Sequence, residues 1–162
     1  MNEQHERFMR AALEEAKRAR ESGSMAAGAV IVRGDEILAR GCNEVNSSFD
    51  TTAHAEVMAL RSLTMGNRQV NPGMQADSGP FAGAVLYATL EPCPMCCWAT
   101  CITGLSAIVL GARHADLDIS FGQYTVEALI ALSKRRMRVI TGVLTEECMA
   151  MLRSGPFRAG PR

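Results

Sequence analysis

Two stretches far apart in the chain have to meet in any fold it adopts: Thr52-Ala53-His54-Ala55-Glu56-Val57 and Glu91-Pro92-Cys93-Pro94-Met95-Cys96-Cys97-Trp98. Together they read His-x-Glu, a gap of under forty residues, then Pro-Cys-x-x-Cys. A catalytic zinc takes three protein ligands and leaves its fourth position for water. His54, Cys93 and Cys96 supply three. Cys93 lies just before Pro94, which suits the first position of a helix, and Cys96 falls one turn further on. Both sulfurs then face one point near a helix N-terminus, where the positive end of the dipole favours thiolate. Glu56, two residues from His54, is not needed as a ligand. Beside a zinc-bound water it can take a proton and later deliver it.

A Cys-x-x-Cys alone also fits a redox pair or half of a structural zinc site. A structural site wants a fourth protein ligand, and Cys97, Cys101 and His114 are candidates. That reading leaves Glu56 without a task. Cys97 and Cys101 stand one turn apart on the expected helix and suit packing as small apolar side chains.

The 162 residues fit one domain with a real core, residues 153–162 forming a C-terminal tail. Hydrophobic residues make up 48% and charged ones 21%, which excludes a disordered chain. The formal net charge is zero, so composition gives no general attraction for nucleic acid. Residues 1–20 are charged throughout, unlike a signal peptide, and no apolar run reaches membrane-spanning length. With two of six cysteines assigned to metal, the chain fits a reducing, cytoplasmic setting with no membrane partner.

Apolar spacing predicts a helix over Asn2 to Glu21, a hairpin of strands Ala27 to Val32 and Glu36 to Arg40, and a loop over Val45 to Asp50. A helix opens at His54, capped by Thr51 or Thr52, and runs to Met65. Loop signals fill Gly66 to Gly83. Ala84 to Thr89 reads as a strand buried on both faces, delivering Glu91 to Cys96 at its C-terminal end. The cysteine helix spans Pro94 to Thr103 and stops at Gly104. Strand Ala107 to Gly111, helix Thr125 to Lys134, strand Met137 to Gly142 and helix Thr145 to Leu152 complete the chain. Val126, Leu129, Ile130 and Leu132 are expected to face inward. A helix between the last two strands permits a parallel crossover.

On the quoted motifs the chain resembles the cytidine deaminase-like superfamily, in the branch of tRNA adenosine deaminases, guanine deaminases and fungal-type cytosine deaminase. The resemblance runs from about Ala27 to Leu152. It implies a three-layer α/β/α sandwich with a mixed sheet of order 2-1-3-4-5, strands two and one antiparallel and the rest parallel. It implies zinc-dependent hydrolytic deamination of a ring amine, with Glu56 as the proton carrier and ammonia as product. Asn43 matches an asparagine that reaches the substrate pocket in those families, although Asn also serves turns. The backbone N–H groups of Ala55 and Cys93 and the C=O of Leu90 match substrate-orienting positions. Phe49 is a ring contact or loop packing. Phe157 stands where related deaminases carry a C-terminal aromatic lid.

The expected substrate is a free nucleobase or nucleoside, since Asp116 and Asp118 near the site edge suit a base amino group better than a phosphate backbone. tRNA is the alternative, and Arg153, Arg158 and Arg162 argue for it. A non-catalytic zinc-binding partner subunit is the reading from another class, and the presence of Glu56 argues against it. The resembling families pair through the zinc helix, so a homodimer is expected, with Trp98, Cys101 and Ile102 on the paired face.

Overall fold

The computed structural model describes residues 3–66 and 79–156. A five-stranded sheet runs in the order β2-β1-β3-β4-β5. Its strands are β1 (Gly28–Arg33), β2 (Glu36–Cys42), β3 (Val85–Leu90), β4 (Ala107–Ala112) and β5 (Arg138–Ile140). The helices are α1 (Glu3–Glu21), α2 (Val45–Ser48), α3 (Ala55–Gly66), α4 (Pro94–Thr103), α5 (Val126–Ser133) and α6 (Thr145–Arg153). Helices α1 and α6 cover one face of the sheet, and α3, α4 and α5 form the layer on the other. No described helix is long and apolar enough to cross a membrane.

The β3–β4 and β4–β5 pairs are parallel, as expected. Strand β1 is antiparallel to β3 as well as to β2, which corrects the expectation that only the first pair reverses. The cause is the hairpin at Gly34. It turns β2 back along β1, and the crossover through α3 then sets β3 on the far side of β1. Strand β4 is buried along its whole length and β3 nearly so, which explains their unbroken apolar runs.

Two glycines set how closely helices approach the sheet. A Cβ on Gly28 would collide with the backbone of Ala12 and Ala16 on α1, and one on Gly41 with the backbone of Ala55 and Ala59 on α3. Gly41 thereby brings the first turn of α3 hard against the end of β2. Ala26 and Ala27, which lead into β1, are both buried.

Three local expectations differ from what is observed. Residues 45–48 form a one-turn helix rather than loop. Helix α3 has no threonine cap. The His54 carbonyl accepts the Met58 N–H at 2.9 Å, while the Thr52 hydroxyl donates to Asp50 at 2.7 Å. Leu132 is 70% exposed rather than inward. It lies about 120° around the helix from Val126, off the face that buries Val126 and Ile130. Of the segment expected as a loop over Gly66 to Gly83, residues 67–78 lie outside the described residues.

Candidate metal and catalytic centre

Strand β3 ends at Leu90, and the chain turns through Glu91-Pro92 to set Cys93 at the N-cap of α4. Pro94 occupies the first helical turn, where its missing N–H costs nothing. Cys96 follows one turn later and is fully buried. His54 sits just before α3, packed across from α4. The ligand atoms of His54, Cys93 and Cys96 lie within 4.8 Å of one another. Nδ1 of His54 is 3.6 Å from Sγ of Cys93. Zinc bonds of about 2.0 Å to nitrogen and about 2.3 Å to sulfur, at tetrahedral angles, separate two such ligands by about 3.5 Å. The donor set and its spacing therefore fit zinc.

The electrostatics follow from the crowding. A hydrogen bond from Cys96 is the largest influence on Cys93 and pulls its thiol down to about 4, with His54 acting the same way. Cys96, which keeps the shared proton beside Cys93, is pushed strongly up by that hydrogen bond and by burial. The bond to Cys93 raises His54 against the opposing effect of burial. Glu56 is 8% exposed. Burial holds its carboxyl above the usual range, and the negative charge of Cys93 adds to this.

The fourth-ligand candidates are not brought in. Among the described residues, the one cluster able to hold a metal contains only His54, Cys93 and Cys96. The Cys97 thiol points to the Val126 carbonyl at 3.9 Å, and Cys101 is buried in the core. His114 Nδ1 lies 3.7 Å from the Glu91 carboxylate.

The expected substrate contacts fare unevenly. Asn43 is buried, and its Oδ1 accepts the Val45 N–H at 3.2 Å. The turn thus uses its oxygen. Ala55 and Leu90 are buried beside His54 and Glu91 at the ends of their elements. Among the described residues no acceptor takes the Cys93 N–H. Phe49 is 95% exposed, with backbone in the left-handed region, so it is not loop packing. Asp118 is exposed, also left-handed, and closes a 3₁₀ turn over His114–Leu117. Asp116 is committed to that turn: its Oδ2 accepts the Arg113 N–H at 2.7 Å. Phe157 lies outside the described residues.

Sequence reasoning gave no role to Glu91, Arg113 or Tyr124. They line a cavity of about 160 Å³ together with His114, Phe121 and Thr125. Glu91 stood inside the motif and was visible. Tyr124 is 32 positions from its partner, the Pro92 carbonyl, and carries no local signal.

Residues 2–112 match the family model described as the cytidine and deoxycytidylate deaminase zinc-binding region. A tRNA-specific adenosine deaminase of Bacillus subtilis is 34% identical over 153 residues, covering 92% of this chain and 86% of that protein. Among solved structures, a tRNA:A34 deaminase superposes with a TM-score of 0.72 at 28% identity, over 90% of this chain and 98% of the other. A guanine deaminase from Nitrosomonas europaea does so with a TM-score of 0.74 at 25% identity, over 91% and 82%.

Proposed function

The chain belongs to the cytidine and deoxycytidylate deaminase zinc-binding family, and we propose that it is a hydrolytic deaminase of adenosine in tRNA. In this reading His54, Cys93 and Cys96 hold the zinc and Glu56 moves the protons. The observation that carries the tRNA reading is the 34% identity to a tRNA-specific enzyme over most of both chains. It outweighs the expectation of a free base. That expectation leaned on two carboxylates, and one of them, Asp116, is spent on holding its own turn.

When bound, zinc makes hydroxide available at neutral pH. Glu56 takes the proton that water gives up and passes it to the ring nitrogen. The oxygen of that water bonds to the amine-bearing ring carbon; Glu56 then carries the proton of the new hydroxyl to the amine, the C–N bond breaks, ammonia leaves and the oxygen stays as the ring carbonyl. The carboxyl's burial suits both transfers, since a proton carrier works best when its pKa lies nearer the working pH. The uncommitted Cys93 N–H and the Nδ2 of Asn43 are available to orient the ring.

A second reading, hydrolysis of a free purine, is favoured by the equal likeness to a guanine deaminase structure and by zero net charge. An anticodon stem-loop and a panel of free bases and nucleosides, each assayed for ammonia and for product mass, separate the two. Inosine in the RNA supports the tRNA reading. Ammonia from a free purine with the RNA unchanged replaces it.

Pairing of two copies through α4 is supported by Met95, Trp98 and Ile102, 39%, 44% and 52% exposed on its outer side. Cys101, expected on that face, is buried instead. It shares the inner face with Cys97, one turn away. Light scattering at micromolar concentration tests the pairing, and a monomer mass contradicts it.

A further inference from the structure

Pro92 and Pro94 flank Cys93, so across these three residues only Cys93 has a backbone N–H. Strand pairing cannot hold such a segment. The β3–β4 ladder ends at Leu90 and Ala112, with one further bond from the Glu91 N–H to the Ala112 carbonyl at 2.8 Å. What remains for anchorage is mainly acceptors. The Cys93 carbonyl accepts the Cys97 N–H at 2.9 Å, and the Pro92 carbonyl accepts the Tyr124 hydroxyl at 2.6 Å.

Glu91, the residue before this segment, is held from the same side. Its buried carboxylate accepts the His114 N–H at 2.9 Å and lies 3.3 Å from Nε of Arg113. Arg113 in turn donates two bonds, at 2.9 and 3.1 Å, to Glu127 in the first turn of α5. Tyr124 is itself seated by ring contacts at 6.1 Å to Phe121 and 6.2 Å to His114.

We propose that Tyr124 is a positioning residue for the metal centre: its hydroxyl, on the Pro92 carbonyl, fixes the peptide that carries the Cys93 thiolate. The Glu91–Arg113–Glu127 chain fixes the residue before it. The inference rests on Cys93 being a zinc ligand, as in the reading above. Groups that orient ligands from outside the coordination sphere are commonly worth 10- to 100-fold in metal affinity or activity.

The test replaces zinc by cobalt(II), whose thiolate charge-transfer band reports the cysteine ligands, and compares wild type with Tyr124→Phe and with Tyr87→Phe, which removes a hydroxyl that is bonded instead to His5 at 2.8 Å. Tyr124→Phe keeps the ring and removes the hydroxyl. It should shift the band and bind cobalt about 10-fold more weakly against a chelator. Tyr87→Phe should do neither. The melting temperature of Tyr124→Phe should fall further below wild type with metal than without it, because its rise on adding metal is smaller. Wild-type affinity in Tyr124→Phe, equal loss in Tyr87→Phe, or an equal drop in melting temperature with and without metal would each overturn the proposal. Absence of the thiolate band in the wild type would remove the ligand reading beneath it.

Discussion

Sγ of Cys93 lies 3.6 Å from Nδ1 of His54, although 39 positions separate the two residues in the chain. Neither element delivers that contact alone. It needs β3 to end at Leu90, α4 to begin at Pro94, and α3 to lie against the end of β2. A metal at this junction ties α3 to α4. Cys96→Ser should therefore lose bound zinc on dialysis and also lose the thermal stabilisation that zinc confers on the wild type. Retention of one zinc per chain in Cys96→Ser would remove Cys96 from the ligand set.

Gly41 sets how close α3 comes to the sheet. In Gly41→Ala the new methyl meets the backbone of Ala55 and Ala59, and backbone cannot rotate aside. Overpacking of this kind costs about 1–3 kcal/mol. Denaturant unfolding should show that loss, with weaker zinc binding because His54 moves with the helix. Unchanged stability would mean that α3 has more freedom than its packing indicates.

Removal of the metal should expose one reactive cysteine. In the metal-free protein the Cys93 thiol, pulled down to about 4, is thiolate at pH 6, while burial pushes Cys148 up to about 12. The thiolate is the nucleophile. Iodoacetamide at pH 6 should label Cys93 well before Cys148, and zinc should protect Cys93. Peptide mass mapping reads the order, and labelling of Cys148 first would contradict it.

The Arg113–Glu127 pair makes a pH-dependent contribution to stability. The hydrogen bonds from Arg113 hold the Glu127 carboxyl below its ordinary value. A depressed folded pKa means that the stabilisation is complete above the unfolded carboxylate pKa and is lost as pH falls through the folded one. Glu127 is half exposed, so the contribution is at most about 1 kcal/mol. Glu127→Gln should melt slightly lower than wild type at pH 7, and the difference should vanish in acid. A difference that grows as pH falls would reverse the sign of this account.

Much of the site was legible because its information is local. Pro94 and Gly104 bracket α4 where the sequence placed it, and His54, Cys93 and Cys96 converge as their spacing required. The antiparallel β1–β3 pair was not legible, since the crossover that places β1 between its neighbours is a property of three elements together. Cys101 was set on the wrong face of α4, though its one-turn spacing from Cys97 already argued for the buried side. The role of Asp116 was hidden for another reason. A carboxylate that caps its own turn looks, in sequence, the same as one that faces a substrate. Tyr124 reaches Pro92 only through the folded path of the 113–127 segment.

In the proposed deamination the buried Glu56 carboxyl, beside the His54, Cys93 and Cys96 cluster, moves the protons. The most direct measurement compares wild type with Glu56→Gln for ammonia release from the best substrate and for zinc content in the same preparations. Glu56→Gln keeps the size and most of the polarity of the side chain but cannot carry a proton. Turnover should fall by a factor on the order of 10² to 10⁴, with zinc content unchanged because Glu56 is not in the ligand cluster. Turnover equal to wild type in a zinc-replete Glu56→Gln protein would contradict the account.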